Sequence, residues 1–267
     1  MSKEPKVSNA LFDDMTSFAS YAFNKSHAAA YALVAYRTAY LKCHYPAEFM
    51  ASLMSSTVND APKYIVECSR MGIDVLPPDV NVSERDFSVK DGRVVFGLLA
   101  IKNLGINIIE SIIRNRREKG TFKNFVDFCR RIHGRELNKK SLESLIKSGA
   151  LDSLGSNRAS MLAAYEGLLS GIAGDSRSNI EGQIGLFDTV NTSEEYYKMP
   201  NLPELSKTEL LLMEKETTGI YISGHPVVKY EQSKKSWGVT DIDRLLSVES
   251  KNSDGRRVVL CGVISEI

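Results

Sequence analysis

The spacing of apolar residues predicts that the first part of the chain, roughly residues 1–84, is helical. In "LFDDMTSFASYAF" four apolar positions recur at offsets of three and four and share one helix face: Leu11, Met15, Phe18 and Ala22. The polar stretch "FNKSH" interrupts this pattern, and Ser26 is predicted to cap a second helix, "HAAAYALVAYRTAYLKCHY". Pro46 ends that helix and opens a third, because proline is tolerated in a first helical turn. A Pro-Pro pair predicts a loop over 72–81.

The next part, about 82–158, begins with strand-like alternation and continues as paired helices. "DFSVKDGRVVFGL" alternates apolar and polar residues, with Asp91-Gly92 as the turn of a hairpin. A tight turn at Asn103-Leu104-Gly105 is predicted between two helices, and the second helix carries isoleucines at core spacing: Ile108, Ile109, Ile112 and Ile113. This pattern is typical of a helix-hairpin-helix, whose amides and helix N-terminus point at a phosphate oxygen. A helical hairpin that only packs is the alternative interpretation.

A second copy follows in "LNKKSLESLIKSGALDSLGSNRASMLAAY". Its turn is predicted at Ser148-Gly149-Ala150, after the apolar positions Leu142, Leu145 and Ile146 and before a helix that starts beyond Asn157. Hairpins of this kind bind the DNA backbone without recognising its sequence, and the binding weakens as salt rises. The usual hairpin has glycine where this chain has Asn103, but asparagine also tolerates a positive φ.

Residues 171–200 are rich in Gly, Ser, Asn and Asp and are predicted to form a flexible linker. Within it, "EGQIGLFDTV" contains an apolar cluster. Either Leu186 and Phe187 hold the linker against the hairpins, or the stretch is an extended peptide that enters a partner's pocket. An acidic helix, a "GIYISGHP" turn and a strand, "VVLCGVISEI", are predicted after the linker. His225 is taken as a turn residue because no catalytic partner has a suitable spacing.

The composition of the 267 residues, 43% of them hydrophobic, is that of a globular protein. No apolar run has the length of a membrane span, and the N-terminus lacks the apolar core of a signal peptide. A soluble, cytoplasmic protein without a membrane partner is therefore expected. The four cysteines are scattered, without a CxxC pair, and are expected to be reduced, buried thiols rather than metal ligands.

A net charge of +1 conceals two regions of opposite sign. Residues 85–158 contain 16 Lys and Arg against 8 Asp and Glu, a balance of +8. Residues 159–250 contain 8 against 14, a balance of −6. A basic region of this size attracts phosphate backbones or another polyanion, although runs of charge are also common on solvated faces.

The start of the second helix combines cations with an aromatic ring. Lys25 and His27 lie at a predicted helix N-terminus, where free N–H groups and the helix dipole favour anions. Tyr31 follows His27 by four residues and shares its face, and Arg37 lies further along the helix. One hypothesis is a nucleoside triphosphate site, with cations on the phosphates and the ring near the base or sugar. On patterning alone, packing of Ala and Tyr at helical spacing is the simpler interpretation.

The stretch "YAFNKSHAAAYALVAYRTAYLKCHYPAEFMA" closely resembles the fingers region of the C-family replicative polymerases, the alpha subunits of bacterial DNA polymerase III. The resemblance implies that Asn24, Lys25, His27 and Tyr31 face an incoming deoxynucleotide, with Arg37 as a further candidate. The stretches "LNKKSLESLIKSGALD" and "EKETTGIYISGHP" are also similar to this family, which usually has tryptophan in place of Leu205.

The resemblance implies further roles and partners. Tandem hairpins with a basic face would bind DNA through Lys102, Asn103, Gly105, Arg114, Arg116, Arg117, Lys139, Lys140 and Gly149. A five-residue stretch resembles the sliding-clamp-binding motif Gln-x-x-Leu-Phe that the family carries after its hairpins: Gln183, Ile184, Gly185, Leu186 and Phe187. The expected partners are DNA, dNTP, the sliding clamp (beta subunit) and other replisome subunits.

Polymerisation needs two Mg²⁺ ions held by clustered aspartates. In the family those aspartates belong to the palm, which precedes the fingers, and Asp13-Asp14 lies on an amphipathic helix outside any Asp-x-Asp arrangement. The resemblance therefore implies a piece of a DNA-directed DNA polymerase with no catalytic residue, metal or cofactor of its own. The full-length polymerase would use Mg²⁺, and the piece alone is expected not to extend a primer.

The sequence predicts a mainly α fold. Its parts are a fingers segment (1–84), a tandem helix-hairpin-helix DNA-binding domain (85–172), a flexible linker with the clamp-binding motif (173–200), a connecting helical and turn segment (201–255) and a truncated first strand of an OB-fold (256–267). Two alternative functions are a stand-alone helix-hairpin-helix DNA-binding protein and a clamp adaptor without DNA affinity. Duplex binding at two salt concentrations distinguishes these functions.

Overall fold

The structure, a computed structural model, describes residues 5–21, 25–133, 137–178, 199–240, 242, 255 and 257–263. In these ranges the chain is mainly α, as predicted. The helices are α1 (Pro5–Tyr21), α2 (Lys25–His44), α3 (Pro46–Ser56), α4 (Ala61–Arg70), α5 (Ile106–Lys119), α6 (Phe125–Arg131), α7 (Lys139–Lys147), α8 (Arg158–Ser178), α9 (Lys207–Thr218) and α10 (Glu231–Ser236). The strands are β1 (Val75–Leu76), β2 (Ser88–Lys90) and β3 (Arg93–Val95).

The first helices follow the apolar pattern, with one correction at a helix start. Pro46 opens α3 as predicted, and Tyr45 stands at its N-cap. Ser26 was predicted to cap α2 but lies inside it, since the helix already begins at Lys25. Lysine is a good helix former and the alanine-rich stretch after it propagates the helix, so the turn of helix extends to include Ser26.

A small sheet follows α4 and contains the predicted hairpin. β2 and β3 pair antiparallel across Asp91 and Gly92, whose φ angles of 51° and 72° suit a two-residue turn with both central residues at positive φ. The predicted loop over 72–81 is wrong in part, because β1 pairs in parallel with β3, Val75 opposite Val94. Pro77 ends this strand after two residues because proline has no N–H to donate.

One hydrophobic core joins α3 and α4 to the sheet and the hairpin helices. Its largest fully buried side chains are Met50, Met54, Phe96, Leu98, Ile101, Ile109, Ile112, Phe125, Phe128, Ile132, Leu142 and Leu145. The four predicted isoleucines of α5 are all buried. By contrast, large apolar side chains on α1 and α2 are exposed, among them Leu11, Phe12, Met15, Tyr31, Tyr36 and Tyr40.

The two predicted hairpins are present but differ from the expected helices. The first begins with only a 3-10 turn, Leu98–Ala100, because seven residues separate the end of β3 from the turn at Asn103. The second joins α7 to α8, with a short 3-10 turn between them. α8 continues to Ser178, so residues 171–178 are helical rather than part of the predicted linker. Buried Leu168 and Ile172 account for this, since they hold the helix on the core beyond its middle.

The segment after residue 199 is fastened to the start of α8. Asn157 donates to the Leu202 carbonyl at 2.7 Å, and the Leu202 amide donates to Ser160 Oγ at 3.2 Å. The Arg158 guanidinium, almost fully buried, donates to Asp152 at 2.7 Å and to Glu214 of α9 at 3.1 Å. This network ties α9 to the second hairpin.

Glu214 is the centre of this attachment. Its side chain is 1% exposed, and besides Arg158 it accepts hydrogen bonds from the amides of Ile222 and Ser223 at 3.0 and 2.9 Å. Burial opposes the charge of Arg158, but the hydrogen bonds to Asp152 and the charges of Asp152 and Glu214 outweigh it and raise the pKa of the guanidinium. The ions are therefore paired and hydrogen-bonded, as buried charges must be.

Two further predictions are corrected. Residues 257–263, predicted to start a strand, belong to no sheet, because a strand needs a hydrogen-bonded neighbour and the described contact is a single bond from the Thr240 amide to the Val259 carbonyl, 2.8 Å. Of the four cysteines only Cys68 and Cys129 are buried, and burial raises the pKa of both thiols. No described helix has both the length and the apolar character needed to cross a bilayer.

We expect Glu214→Ala to lower the free energy of unfolding by about 3–5 kcal/mol, because it leaves two amides without their acceptor and the buried guanidinium with one carboxylate, Asp152, instead of two. Glu216→Ala is the matched control on the same helix. Its carboxylate is 64% exposed and pairs with Lys147 at 3.3 Å, so its loss costs no more than about 1 kcal/mol. Urea denaturation of both variants measures the difference. Equal losses would contradict the importance given to the buried pair.

Candidate nucleic-acid interface

The turn of the first hairpin has the backbone that a close approach to a phosphate requires. Asn103 adopts a left-handed conformation with φ of 65°, so asparagine does replace the usual glycine. Leu104 is buried beneath the turn and fixes it to the core. Gly105 is exposed, and a Cβ built on it would meet no atom within 4 Å. Buried Leu104 therefore holds the turn against the core, while the outer face of the turn at Gly105 is open to a ligand.

The helix that follows this turn has an uncapped N-terminus. Gly105 is the N-cap residue of α5 and provides no side-chain hydrogen bond. The other three helices of the two hairpins and their connector are each capped by an asparagine side chain: Asn124 for α6, Asn138 for α7 and Asn157 for α8. The first amides of a helix have no acceptor within it, and the helix dipole makes them attractive to anions. Only α5, within this part of the described structure, leaves these amides to an outside ligand.

α7 supports the turn from one side. Ser141 Oγ donates to the Asn103 carbonyl at 2.9 Å, and the Asn103 side chain donates to Ser144 Oγ at 3.0 Å. These bonds place the first turn of α7, with Lys139 and Lys140, beside the hairpin. Residues 102–107, Lys139 and Lys140 are called the first-hairpin surface below.

The three lysines of this surface are not equivalent. Lys102 donates its amide to the Thr217 carbonyl and its ammonium to the Glu216 carbonyl, both at 2.8 Å, and so caps the C-terminus of α9. Lys139 pairs with Glu166 at 2.8 Å on the exposed surface, and this hydrogen bond raises the pKa of its ammonium. Lys140 is exposed and has no ion pair within the described structure. Lys140 is therefore the cation most available to a phosphate.

The three predicted arginines of α5 lie away from the hairpin turn. Arg114 comes eight residues after the helix start, about 12 Å along the axis, and is exposed. Arg117 lies further along and binds Glu84 at 2.9 Å. Arg116 is only 10% exposed and donates to the carbonyls of Val80 and Ser83 and to Glu84. The structure thus does not bring these arginines together with the turn, and Arg116 acts in the fold.

Gly149 in the second hairpin lies against protein rather than in the open. It has a φ of 82°, and a Cβ built there would collide with the Arg158 guanidinium. The N-terminus of α8 is also occupied, because the Glu204 carboxylate accepts from the amides of Arg158 and Ala159 at 3.0 and 3.1 Å. Nothing in the spacing of the sequence marked Glu204, since it comes 46 residues after Arg158.

The predicted nucleotide site is brought together only in part. The rings of His27 and Tyr31 lie 4.3 Å apart on α2, and the tyrosine is 64% exposed. Arg37 is exposed but about 15 Å further along the helix axis than His27. Lys25 forms the first residue of α2, and Asn24 lies outside the described residues.

Comparison with known proteins shows which family has a similar sequence. A family model described as a helix-hairpin-helix motif matches residues 72–161, which include the first hairpin, α7 and the start of α8. The DNA polymerase III subunit alpha of Thermus aquaticus is 42% identical over 262 residues, covering 97% of this chain and 21% of that protein. The chain is a homologue of one segment of DNA polymerase III alpha subunits. This confirms the family resemblance predicted from the fingers motif.

Two other alpha subunits show the same relation. That of Deinococcus radiodurans is 38% identical and that of Treponema pallidum 37%, covering 97% and 99% of this chain. The chain spans about a fifth of the length of these relatives, 20% and 23% respectively. The predicted clamp-binding motif, residues 183–187, lies outside the described residues. No described group of three or more His, Cys, Asp or Glu side chains is placed to hold a metal ion.

We expect Gly149→Ala to lower the free energy of unfolding by about 1–3 kcal/mol. The alanine would hold a left-handed φ and press on Arg158. Gly105→Ala is the control, a glycine of the first hairpin with open space and φ of −81°, and costs no more than about 1 kcal/mol. Thermal denaturation of both variants tests this, and a larger loss for Gly105→Ala would contradict the packing role of Gly149.

Proposed function

We propose that this chain is a segment of a replicative DNA polymerase that binds the duplex leaving the active site, through the backbone of one strand. The observation that carries the proposal is the uncapped N-terminus of α5 behind the rigid turn at Asn103. A phosphate there would accept hydrogen bonds from helix amides and lie at the positive end of the dipole. The open surface at Gly105 permits the DNA backbone to approach closely.

The charge around this turn supports a nucleic acid over a neutral partner. Lys140 lies beside the turn with its ammonium free for a phosphate, and residues 85–158 carry +8 overall. Contacts made by amides and lysines to phosphates carry no base specificity, which suits an enzyme that copies every sequence. Each neutralised phosphate releases condensed counterions, so the affinity must fall with salt.

The nucleotide contact is part of the same proposal. His27 and Tyr31 form an exposed pair on α2, with an imidazole able to donate to a phosphate and an aromatic ring beside it. Together with the fingers motif, this pair supports a role in holding the incoming dNTP. Template-directed synthesis, its Mg²⁺-binding aspartates and the contacts to other replisome subunits are proposed for the whole polymerase, and primer extension by this segment alone is not expected.

The linker motif is proposed to bind the sliding clamp. Leu186 and Phe187 would enter an apolar pocket of the clamp while Gln183 bonds at its rim. Burying the two apolar side chains contributes roughly 1.5–3 kcal/mol each before ordering costs, so the peptide alone binds weakly. A clamp and a polymerase on the same DNA are held at high effective concentration, and weak binding is then sufficient.

For DNA binding, we expect Lys140→Ala to weaken affinity for a duplex and to reduce the slope of log K against log salt by about one, since one phosphate contact is lost. Arg114→Ala is the control, because it removes another exposed cation, about 12 Å from the start of α5. Fluorescence anisotropy at several salt concentrations measures both. Equal changes in slope for the two variants would show that the N-terminus of α5 is not the site of DNA contact.

For clamp binding, we expect Leu186→Ala combined with Phe187→Ala to abolish affinity for the clamp and to leave duplex affinity nearly intact. Ile184→Ala is the matched control, because Ile184 occupies a variable position of the Gln-x-x-Leu-Phe pattern. Surface plasmon resonance with immobilised clamp measures binding. Unchanged clamp affinity of the double variant would instead favour the hypothesis that these side chains hold the linker to the hairpins.

A further inference from the structure

The second hairpin repeats the turn sequence of the first but not its open helix end. The residues that lead into the second helix of each hairpin read Leu-Gly-x-Asn, at 104–107 for α5 and at 154–157 for α8. In the first, the helix starts directly after the glycine, without a side-chain cap. In the second, Gly155 has a φ of 80°, and Asn157 becomes the cap by accepting from the Ser160 amide at 2.8 Å. Similar sequences therefore lead to an uncapped N-terminus in α5 and a capped N-terminus in α8.

An internal carboxylate occupies the end of the second helix. Glu204 accepts from the amides of the first two residues of α8, Arg158 and Ala159, and from the Leu205 amide at 2.8 Å. Burial opposes ionisation, but these three backbone donors outweigh it and lower the pKa of Glu204. The carboxylate is therefore charged at neutral pH. An anion on the first two amides of a helix is the arrangement in which helix N-termini bind phosphate.

Contacts that do not involve its charge hold Glu204 there. Leu202, two residues before it, is bonded to Asn157 and Ser160 on either side of the helix start. Ten residues after it, Glu214 binds Arg158 itself. The carboxylate is thus fixed from both sides.

The two hairpins lie side by side at the C-terminal end of α9. Glu214 contacts the start of α8, and the carbonyl of Thr217, three residues later, accepts from the Lys102 amide in the first turn. Three residues span about 4.5 Å of helix axis, so both turns meet α9 within one helical turn of each other. A ligand that reaches one hairpin is close to the other.

We propose that Glu204 closes the second hairpin to DNA. Its carboxylate takes the position that a phosphate takes in the first hairpin, so the first hairpin alone binds the backbone and the second serves to attach the segment after residue 199. The proposal rests on the proposed DNA binding and specifies which half of the tandem carries it. It also predicts that removing the carboxylate adds a phosphate contact.

A matched pair of prolines tests which hairpin binds DNA. Asn107→Pro and Ala159→Pro each remove one amide N–H from the second position of the helix after the turn. Pro62 occupies the second position of α4 in this chain, so the backbone tolerates proline there. We expect Asn107→Pro to weaken duplex binding and reduce its salt slope by about one, and Ala159→Pro to change neither. Equal weakening by both variants would overturn the proposal.

Removal of the carboxylate tests the closure itself. We expect Glu204→Ala to tighten duplex binding by roughly two- to fivefold, because two amides and a helix dipole become available, and to steepen the salt slope by about one. Glu204→Gln keeps the acceptor without the charge and should lie between Glu204→Ala and the unchanged protein. Glu209→Ala is the control, since the Glu209 carboxylate caps the start of α9 by accepting from the Ser206 amide instead of from an amide of either hairpin. Binding is measured by anisotropy on a fixed duplex, with melting temperature recorded to show that each variant is folded.

The outcomes separate this inference from the proposed function. If Glu204→Ala binds no more tightly than Glu209→Ala, Glu204 does not close a phosphate site and the inference fails, while DNA binding by the first hairpin stands. If the unchanged protein shows no salt-dependent duplex binding, or Asn107→Pro has no effect on it, the proposed function fails as well.

Discussion

The arrangement of the hairpins depends on the buried ion pair between Arg158 and Glu214. The arginine lies at the start of α8, fills the space over Gly149 and binds Asp152 within its own hairpin. The glutamate lies on α9 and also accepts the amides of Ile222 and Ser223. A pair of this kind contributes little net stability compared with apolar packing, but an arrangement that separated the two ions would leave buried charges uncompensated and is strongly disfavoured. The second hairpin, α9 and the turn after α9 are consequently placed together.

Three arginines of this basic region are used inside the fold. Arg131 donates to Asn115 and to the carbonyls of Gly120 and Thr121, and its guanidinium lies 4.3 Å from the centre of the Phe122 ring. Arg116 and Arg158 are likewise bound to carbonyls and carboxylates. A count of charges from sequence describes the long-range field that attracts a polyanion, whereas direct contacts need cations that are exposed at the surface. All the charges of the region therefore contribute to the long-range attraction, whereas only exposed cations can contribute to the binding geometry.

Local chemistry determined which predictions from sequence succeeded. The turns at Asp91-Gly92 and Asn103, and the helix start at Pro46, depend on the φ preferences of single residues, and each is found where expected. The predictions that failed depend on distant partners. Arg116 binds carbonyls more than thirty residues earlier in the chain. α8 continues into a stretch of polar composition because Ile172 is buried in the core. The carboxylate at the N-terminus of α8 could not be predicted, because Glu204 lies far along the chain and has no periodic relation to the helix.

The length of α8 has a mechanical consequence for the peptide that follows it. The helix has 21 residues and is about 31 Å long, and the chain must return from its far end to Leu202, which is bonded at its beginning. The described parts of the chain on either side of the gap, Ser178 and Met199–Leu202, therefore lie at the end and near the start of the same helix. A force applied at Ser178 would act on the far end of this helix, whereas a force applied at Met199 would act near its start. Because buried Leu168 and Ile172 hold α8 on the core, either force would turn the helix together with the hairpin helices on which it packs.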